Sequence, residues 1–446
     1  MKNITIVGGG LVGSLLAIFL AKKGYKINIY ERRPDLRKEN IAVGRSINLV
    51  ISHRGWNALK AAGIEEEIKE ITVPVYARMT HDLQGNQTKH PYSIENKAIW
   101  SVSRGGLNAK LLSIAENFPN VSLHFNYKCT EVNLDKASAS FENTLSNETI
   151  IVESDLLFGA DGAFSAVRQI MMQKDRFNYS IEYIEHGYKE LVIPANNDGS
   201  YKLDKNCLHI WPRREFMLMA LANLDGSFTC TLFFPYEGEQ SFNRIKNEND
   251  LINFFKETFP DAINLMPTLV NDFFENKTSS LAIVRCSPWV HNGKIALIGD
   301  AAHAIVPFYG EGMNCGFEDC FIFNSLLEKM GDKDLHSLLN KYNEMRKPNG
   351  DAIADLSLRN FVEMRHLVAE PTFILRKKIE NKMQEKHPDK WLPLYSQVKF
   401  SNIQYCNALN TSKKQDEIME KILSIKNIEE NWDSSEVENQ ILNLLQ

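Results

Sequence analysis

The chain has 446 residues, 43 % hydrophobic and 24 % charged, with a formal net charge of −5, so a large core in two or three lobes is expected and nothing argues for nucleic-acid binding. No stretch approaches the ~18 apolar residues of a membrane span, and the first strand starts too early to leave room for a leader peptide. Seven cysteines without a CxxC pair or a regular framework suggest reduced thiols, and the expectation is a cytoplasmic protein.

Lys2 to Val7 reads as a buried strand, followed at once by Gly8-Gly9-Gly10-Leu11-Val12-Gly13. A helix over Ser14 to Lys23 and a second strand over Lys26 to Tyr30, ending on Glu31, complete a βαβ unit. Gly8, Gly10 and Gly13 fit GxGxxG in its full context. Gly8 permits the tight turn, Gly10 admits a pyrophosphate, and Gly13 lets helix and strand pack closely. Free N–H groups at the helix start then face the phosphates, and the Glu31 carboxylate can accept hydrogen bonds from a ribose diol.

Arg45 follows Gly44 and either lies over a nucleotide's phosphate or ring edge, or is a solvated loop arginine. Trp56 to Ile68 reads as one helix with Leu59, Ile64 and Ile68 on its apolar face. From Val75 to Trp100 the pattern is strand, turn, strand around Gly85-Asn86, so Arg78 and Tyr92 can meet across a small sheet. Periodicity alone makes each a surface or core residue. Ser103-Arg104 opens a helix that Pro119 ends, and an arginine there does not help the helix dipole, which favours a role toward a bound anion or cofactor. Val121 to Phe125, Lys128 to Asn133 and Ile150 to Phe158 read as strands. The last runs into Gly159-Ala160-Asp161-Gly162, where a carboxylate and bare backbone suit a polyol or pyrophosphate.

Gly187 to Pro235 is β-rich, with Met217, Met219 and Leu221 on one face by period two and Leu208 and Phe233 as neighbours. That face is either sheet core or the wall of a slot for a flat ring. Helices broken at Pro260 and Pro267 follow, ending near Ser279. Lys294 to Ile298 is again a buried strand, ending in Gly299-Asp300-Ala301-Ala302-His303. Pro307-Phe308-Tyr309-Gly310-Glu311-Gly312-Met313-Asn314 then opens a helix whose start can set N–H groups against a ring carbonyl or a reacting oxygen. His303 has no evident nucleophile beside it and reads as a structural hydrogen bonder. Beyond Leu339 the chain is helical as far as Pro348 and again from Asp351, with Asn360 and Met364 on one face. Trp391-Leu392-Pro393-Leu394-Tyr395 reads as a non-helical aromatic knot, and Ile418, Ile422, Ile425 and Ile428 as a peripheral packing face.

The signals at Gly8–Gly13, Asp161-Gly162 and Gly299-Asp300 with the 307–314 loop lie far apart, and a simple nicotinamide dehydrogenase needs only the first. Together, across most of residues 1–330, they resemble the single-component flavoprotein aromatic hydroxylases. Within that group the chain is similar to the kynurenine 3-monooxygenase family. This narrower resemblance rests on Val43-Gly44-Arg45-Ser46-Ile47-Asn48-Leu49, Tyr76-Ala77-Arg78-Met79, Ser101-Val102-Ser103-Arg104 and Trp211-Pro212-Arg213. It continues through Leu218 to Phe234, Leu358 to Arg365 and Pro393-Leu394-Tyr395, and so reaches about residue 405.

The resemblance implies an α/β fold: a Rossmann-like FAD-binding domain from residues 1–75, 101–180 and 285–330, and an inserted β-sheet substrate domain from 76–100 and 181–284. A helical C-terminal region, 331–446, would complete the pocket. It implies tightly but non-covalently bound FAD on Gly8, Gly10, Gly13, Glu31, Arg45, Arg104, Asp161, Asp300, Gly312, Met313 and Asn314, with NADPH as a transient co-substrate. In that family an arginine and a tyrosine hold the substrate carboxylate, here Arg78 and Tyr92. An asparagine and a tyrosine complete the polar contacts, here Asn360 and Tyr395. The ring slot would be Leu208, Met217, Met219, Leu221, Phe233, Phe308 and Met364, with Pro307, Phe308 and Tyr309 bordering the reacting oxygen.

The implied reaction is hydroxylation of L-kynurenine to 3-hydroxykynurenine with NADPH and O₂ through a C4a-hydroperoxyflavin. It needs no metal, and no His/Cys/Asp cluster is evident in the sequence. Two departures stand out. Glu311 replaces the glutamine usual in the family's Gly-Gln-Gly loop, a carboxylate that must point outward or be protonated beside reduced flavin. The membrane anchor of the eukaryotic members is not seen, as expected of a bacterial, soluble form. The alternatives are a related flavin hydroxylase of another aromatic acid or a nonenzymatic flavin-binding redox sensor. Monomer and homodimer remain equally open.

Overall fold

In the computed structural model, which describes residues 2–38, 47–93, 95–365 and 370–445, the glycine turn joins β1 (Asn3–Val7) to α1 (Leu11–Lys22), and β2 (Lys26–Glu31) returns parallel to β1. Gly8 has φ +107°, and a Cβ there would stand 2.5 Å from the Ala160 carbonyl oxygen. A Cβ on Gly13 would stand 2.1 Å from the Gly8 carbonyl oxygen, so both positions exclude any side chain. Around the same position on Gly10 there is nothing within 4 Å: this is the open side of the turn.

After β3 (Asn48–Ile51) the chain forms α2 (His53–Ala61), α3 (Glu65–Lys69) and β4 (Val73–Val75). The single helix expected over Trp56 to Ile68 is therefore two, because Gly63 at φ +66° closes the first. β5 (Ala77–His81), β6 (Gln87–Pro91) and β7 (Ile99–Ser103) lead to α4 (Arg104–Glu116), whose N-cap Ser103 hydroxyl accepts from the Gly106 N–H at 3.3 Å. Then come β8 (Val121–Phe125), β9 (Tyr127–Asn133), β10 (Ser138–Asn143), β11 (Thr149–Glu153) and β12 (Leu156–Gly159). The strand expected over Ile150 to Phe158 is thus also two. β11 pairs antiparallel with β10 in a small outer sheet, whereas β12 lies parallel to β1. The chain changes sheets at Ser154, whose N–H and hydroxyl both donate to the Ala137 carbonyl.

The middle of the chain supplies α5 (Ala166–Met171), β13 (Asn178–Ile193), β14 (Cys207–Arg213), β15 (Phe216–Ala222), β16 (Phe228–Pro235), α6 (Glu248–Thr258), α7 (Leu269–Glu275) and β17 (Ser279–Ser287). β18 (Val290–His291), β19 (Ile295–Leu297), α8 (Asp300–His303) and α9 (Gly312–Met330) return to the first sheet, of order β18-β19-β12-β1-β2-β8. A seven-stranded sheet runs β17-β13-β16-β15-β14-β5-β6. Its period-two alternation separates two cores: Trp211, Phe216, Leu218 and Phe234 pack toward α6 and α7, while Leu208, Met217, Leu221 and Phe233 face the opposite way.

The remaining helices are α10 (Leu335–Arg365), α11 (Pro371–Lys386), α12 (Leu394–Lys399), α13 (Tyr405–Leu423), α14 (Ile428–Asn431) and α15 (Ser435–Leu444). Two expectations fail here. Pro348 lies inside α10 and does not end it, because Tyr342, Arg346 and Asn349 on either side are all buried and packing outweighs the lost hydrogen bond. Tyr395 sits in the first turn of α12, not in an irregular knot, since Pro393 is tolerated just ahead of a helix. Ile418, Ile422, Ile425 and Ile428 do pack together, against α11 and α15. Among the described residues no helix is long and apolar enough to cross a membrane.

Candidate active site

Arg78 on β5 and Tyr92, just beyond β6, come together beside Tyr395 of α12. The Arg78 Cζ lies 4.8 Å from the Tyr395 ring centroid and 5.7 Å from that of Tyr92. The two tyrosine rings stack at 5.2 Å, and Tyr309 stacks on the far side of Tyr395 at 6.0 Å. Arg78 Nε and the Tyr92 hydroxyl are buried without a hydrogen-bond partner among the described residues. Burial, against the pull of Arg78, pushes the Tyr92 phenol up to about 12, so it is a neutral donor at pH 7. A guanidinium beside phenol hydroxyls has the chemistry to receive a carboxylate.

Beside this polar end lies an apolar wall. Leu208, Met217, Leu221, Phe233, Phe308 and Met364 share one buried cluster, with Met219 packed against it. Phe308 stacks on Phe361 at 3.9 Å and tilts against Phe233 at 4.9 Å. Asn360 donates to the Phe308 carbonyl at 2.8 Å and to the Met364 sulfur at 3.1 Å, so its amide fixes the loop that Pro307 opens. A narrow cleft backs onto Tyr309, Asn360 and Tyr395 and is lined further by charged residues such as Arg359 and Glu380 together with Leu394, Ser412 and Gln415. Phe361 was not singled out in the sequence; its i, i+3 spacing to Met364 on the same helix was the available signal.

The second half of the site surrounds the glycine turn. Glu31 accepts from the Gly9 N–H at 2.9 Å and the Arg33 N–H at 3.0 Å, which fixes its carboxylate against the turn. Asp161 uses one oxygen for the Ala166 and Val167 N–H groups at 2.7 and 3.3 Å, while Oδ1 is buried without a partner. Burial raises its pKa. Asp300 is half-buried at the start of α8, and Gly312, Met313 and Asn314 begin α9. Arg104 is exposed at the first position of α4, and Arg45 lies outside the described residues.

A family model described as FAD binding domain matches residues 1–357. A kynurenine 3-monooxygenase of Flavobacterium johnsoniae is 50 % identical over 444 residues, covering 100 % of this chain and 99 % of the relative. One from Anopheles gambiae is 43 % identical, covering 94 % of this chain and 86 % of the relative. The chain belongs to the kynurenine 3-monooxygenase family. Among solved structures, the tetrameric form of 2-methyl-3-hydroxypyridine-5-carboxylic acid oxygenase superposes with a TM-score of 0.68 at 18 % identity, covering 86 % of this chain and 98 % of that one. That likeness shows a shared α/β fold. The residues at the turn fit FAD on their own terms: the open side at Gly10, the unpartnered Asp161 oxygen and the free N–H groups at the α9 start are what a dinucleotide's pyrophosphate and hydroxyls need.

Two polar clusters in this family member depart from the sequence expectations. Glu311 does not point outward: it is fully buried and paired, with Lys399 Nζ 2.7 Å from Oε1 and the Tyr405 hydroxyl donating to Oε2 at 2.5 Å. Lys399, 88 residues away, was not legible as its partner, although its i, i+4 spacing from Tyr395 was a usable signal. Asn314 spends its side chain on the protein, donating to the Val50 and Gly310 carbonyls and accepting from the Ser52 N–H, so it can face a cofactor only through its backbone. The sequence also showed no His/Cys/Asp cluster, yet His303, Cys315 and Asp319 offer atoms within 4.8 Å of one another. Arg346 is the cation there, donating to Asp319 at 2.6 Å and to the Cys315 sulfur at 3.3 Å. Burial opposes charge on His303, but Cys315 and Asp319 hold its pKa well above the ordinary range. Asp319 also accepts from the Gly299 N–H at 3.1 Å, which anchors the turn carrying Asp300.

Proposed function

We propose that the pocket between the seven-stranded sheet, the 307–314 loop and α12 binds L-kynurenine, and that the protein is the FAD-dependent monooxygenase converting it to 3-hydroxykynurenine with NADPH and O₂. The observation that carries this reading is Arg78, enclosed with Tyr92 and Tyr395 at one end of an apolar slot. Kynurenine has matching parts: a carboxylate on an amino-acid tail, and a flat aniline ring. Arg78 binds the carboxylate through charge-assisted hydrogen bonds, and the neutral hydroxyls of Tyr92 and Tyr395 complete its shell. Leu208, Met217, Met219, Leu221, Phe233 and Met364 hold the ring, which fixes the carbon beside the amine toward the loop.

The residues of the glycine turn and the α9 start would hold FAD, which, when bound, would activate O₂ with electrons from NADPH. The aniline nitrogen already enriches the ring in electrons, so the protein's work is orientation and exclusion of water. Pro307, Phe308 and Tyr309 close the slot, and Asn360 keeps Phe308 in place. Gly8, Gly10, Gly13, Glu31, Asp161, Asp300 and the α9 start form the cofactor cradle in this assignment, with Arg104 at its rim. The seven free cysteines, six of them buried, suit the reducing cytoplasm.

The test follows NADPH oxidation and 3-hydroxykynurenine together after L-kynurenine is added to the FAD-loaded protein. Near-equal amounts are expected. Oxidation stimulated without hydroxylated product would make kynurenine an effector only, and no response would remove the carboxylate site from this reading.

A further inference from the structure

The carboxylate at the apex of the 307–314 loop and its counterion connect two halves of the site. Glu311 and Lys399 have side chains 0 % and 1 % exposed. Besides the ion pair, Lys399 Nζ donates to the Gly310 carbonyl at 3.2 Å, and the Ser52 hydroxyl donates to Glu311 at 3.3 Å. Gly310 is left-handed at φ +65° and its N–H closes the turn onto the Pro307 carbonyl at 2.7 Å, while its own carbonyl accepts from Lys399, so the cation ties α12 to this turn as well as to Glu311. Burial lowers the Lys399 pKa and Glu311 pulls it back. Such a pair contributes little net stability once desolvation is counted, which directs attention to what it positions.

On one side, Lys399 lies one helical turn from Tyr395 on the same face of α12, and Tyr395 covers Arg78. On the other, Glu311 is the residue immediately before α9, whose first N–H groups belong to the cofactor cradle. We propose that Glu311 and Lys399 are positioning residues that lock the 307–314 loop to the carboxylate-binding wall, so that the loop excludes water from the bound flavin, while the pair's zero net charge keeps Glu311 from opposing flavin reduction. This rests on the flavin hydroxylase reading above.

The test compares FAD-loaded wild type, E311Q, K399M and the double variant by flavin midpoint potential and by the fraction of oxidised NADPH that appears as hydrogen peroxide with kynurenine present. E311Q leaves an unpaired ammonium and raises the potential; its amide keeps the contacts, so coupling changes little. K399M leaves an unpaired carboxylate, lowers the potential and increases the peroxide fraction about tenfold through loss of loop position. In the double variant the potential returns to the wild-type value while the peroxide fraction stays with K399M. Shifts of potential in the same direction for both single variants, or a wild-type peroxide fraction in K399M, overturn the proposal. If K399M does not fold, E311Q and the double variant decide it by the same two readouts. A wild type that forms no hydroxylated product instead defeats the functional reading, and the potentials still decide the pair.

Discussion

Arg78 carries its charge in a site closed by tyrosine rings, and the proposed role in binding a carboxylate can be tested there. Arg78→Ala is expected to weaken kynurenine binding by roughly 2–5 kcal/mol, because the substrate carboxylate is then buried without its cation. Equilibrium titration of the bound flavin's fluorescence measures this directly, and an unchanged Kd would remove Arg78 from the site. Tyr92→Phe deletes one neutral donor and should cost about 1 kcal/mol in the same titration. At this scale the sequence was only partly readable. Arg78 stands on β5 and Tyr92 just beyond β6, and strand periodicity says which face a residue takes but not what closes over it. Tyr395 arrives from 303 residues further on, and Lys399 meets Glu311 across a fold that no local pattern encodes.

The βαβ unit was legible because each of its parts has a local cause: a buried strand, glycines where side chains would collide, and an apolar helix. Gly13→Ala would drive a methyl into the Gly8 carbonyl. The expected result is a protein purified without its yellow colour and unable to take up added FAD, with secondary structure by circular dichroism largely kept. Retained flavin would mean that the turn relaxes cheaply. The elements misread from sequence failed for equally physical reasons. A left-handed glycine splits α2 from α3, a change of sheet splits β11 from β12, and burial on both sides carries α10 through Pro348. In each, tertiary context decided where local pattern was ambiguous.

Across the whole molecule, ion pairs tie α9 to α10 and to α2, and others brace α11 along its own length. Arg346 bridges Glu318 and Asp319, Arg54 reaches Glu318, and Arg376 and Lys377 bind Glu380. Burial alone would raise these carboxyls. Arg346 and Arg54 hold Glu318 below its ordinary value of 4.5, His303 and Arg346 hold Asp319 below 3.8, and Lys377 and Arg376 hold Glu380 below 4.5. With folded-state values depressed, the unfolded chain takes up protons first as pH falls. Stability is present above those ordinary values and is lost below about pH 4.5. His303, shifted upward, has the opposite sign: its share is complete below 6.5 and is lost as pH rises through its folded value. Melting temperature measured against pH should therefore fall steeply on acidification, and a flat profile down to about pH 3 would show that the pairs do not govern stability.

The glycine turn is made first and Tyr395 and Lys399 very late in synthesis, and this order has a consequence for the cell. A chain that stops before α12 carries the matched FAD-binding stretch, residues 1–357, but has neither the cover over Arg78 nor the counterion for Glu311. On the proposed reading such a fragment would keep the cofactor cradle and the 307–314 loop and lack the Tyr395 cover and the Lys399 counterion. Its reducing equivalents would drain to oxygen as peroxide. On that reading the order of synthesis would leave the cover over Arg78 as the part of the site completed after the cofactor cradle.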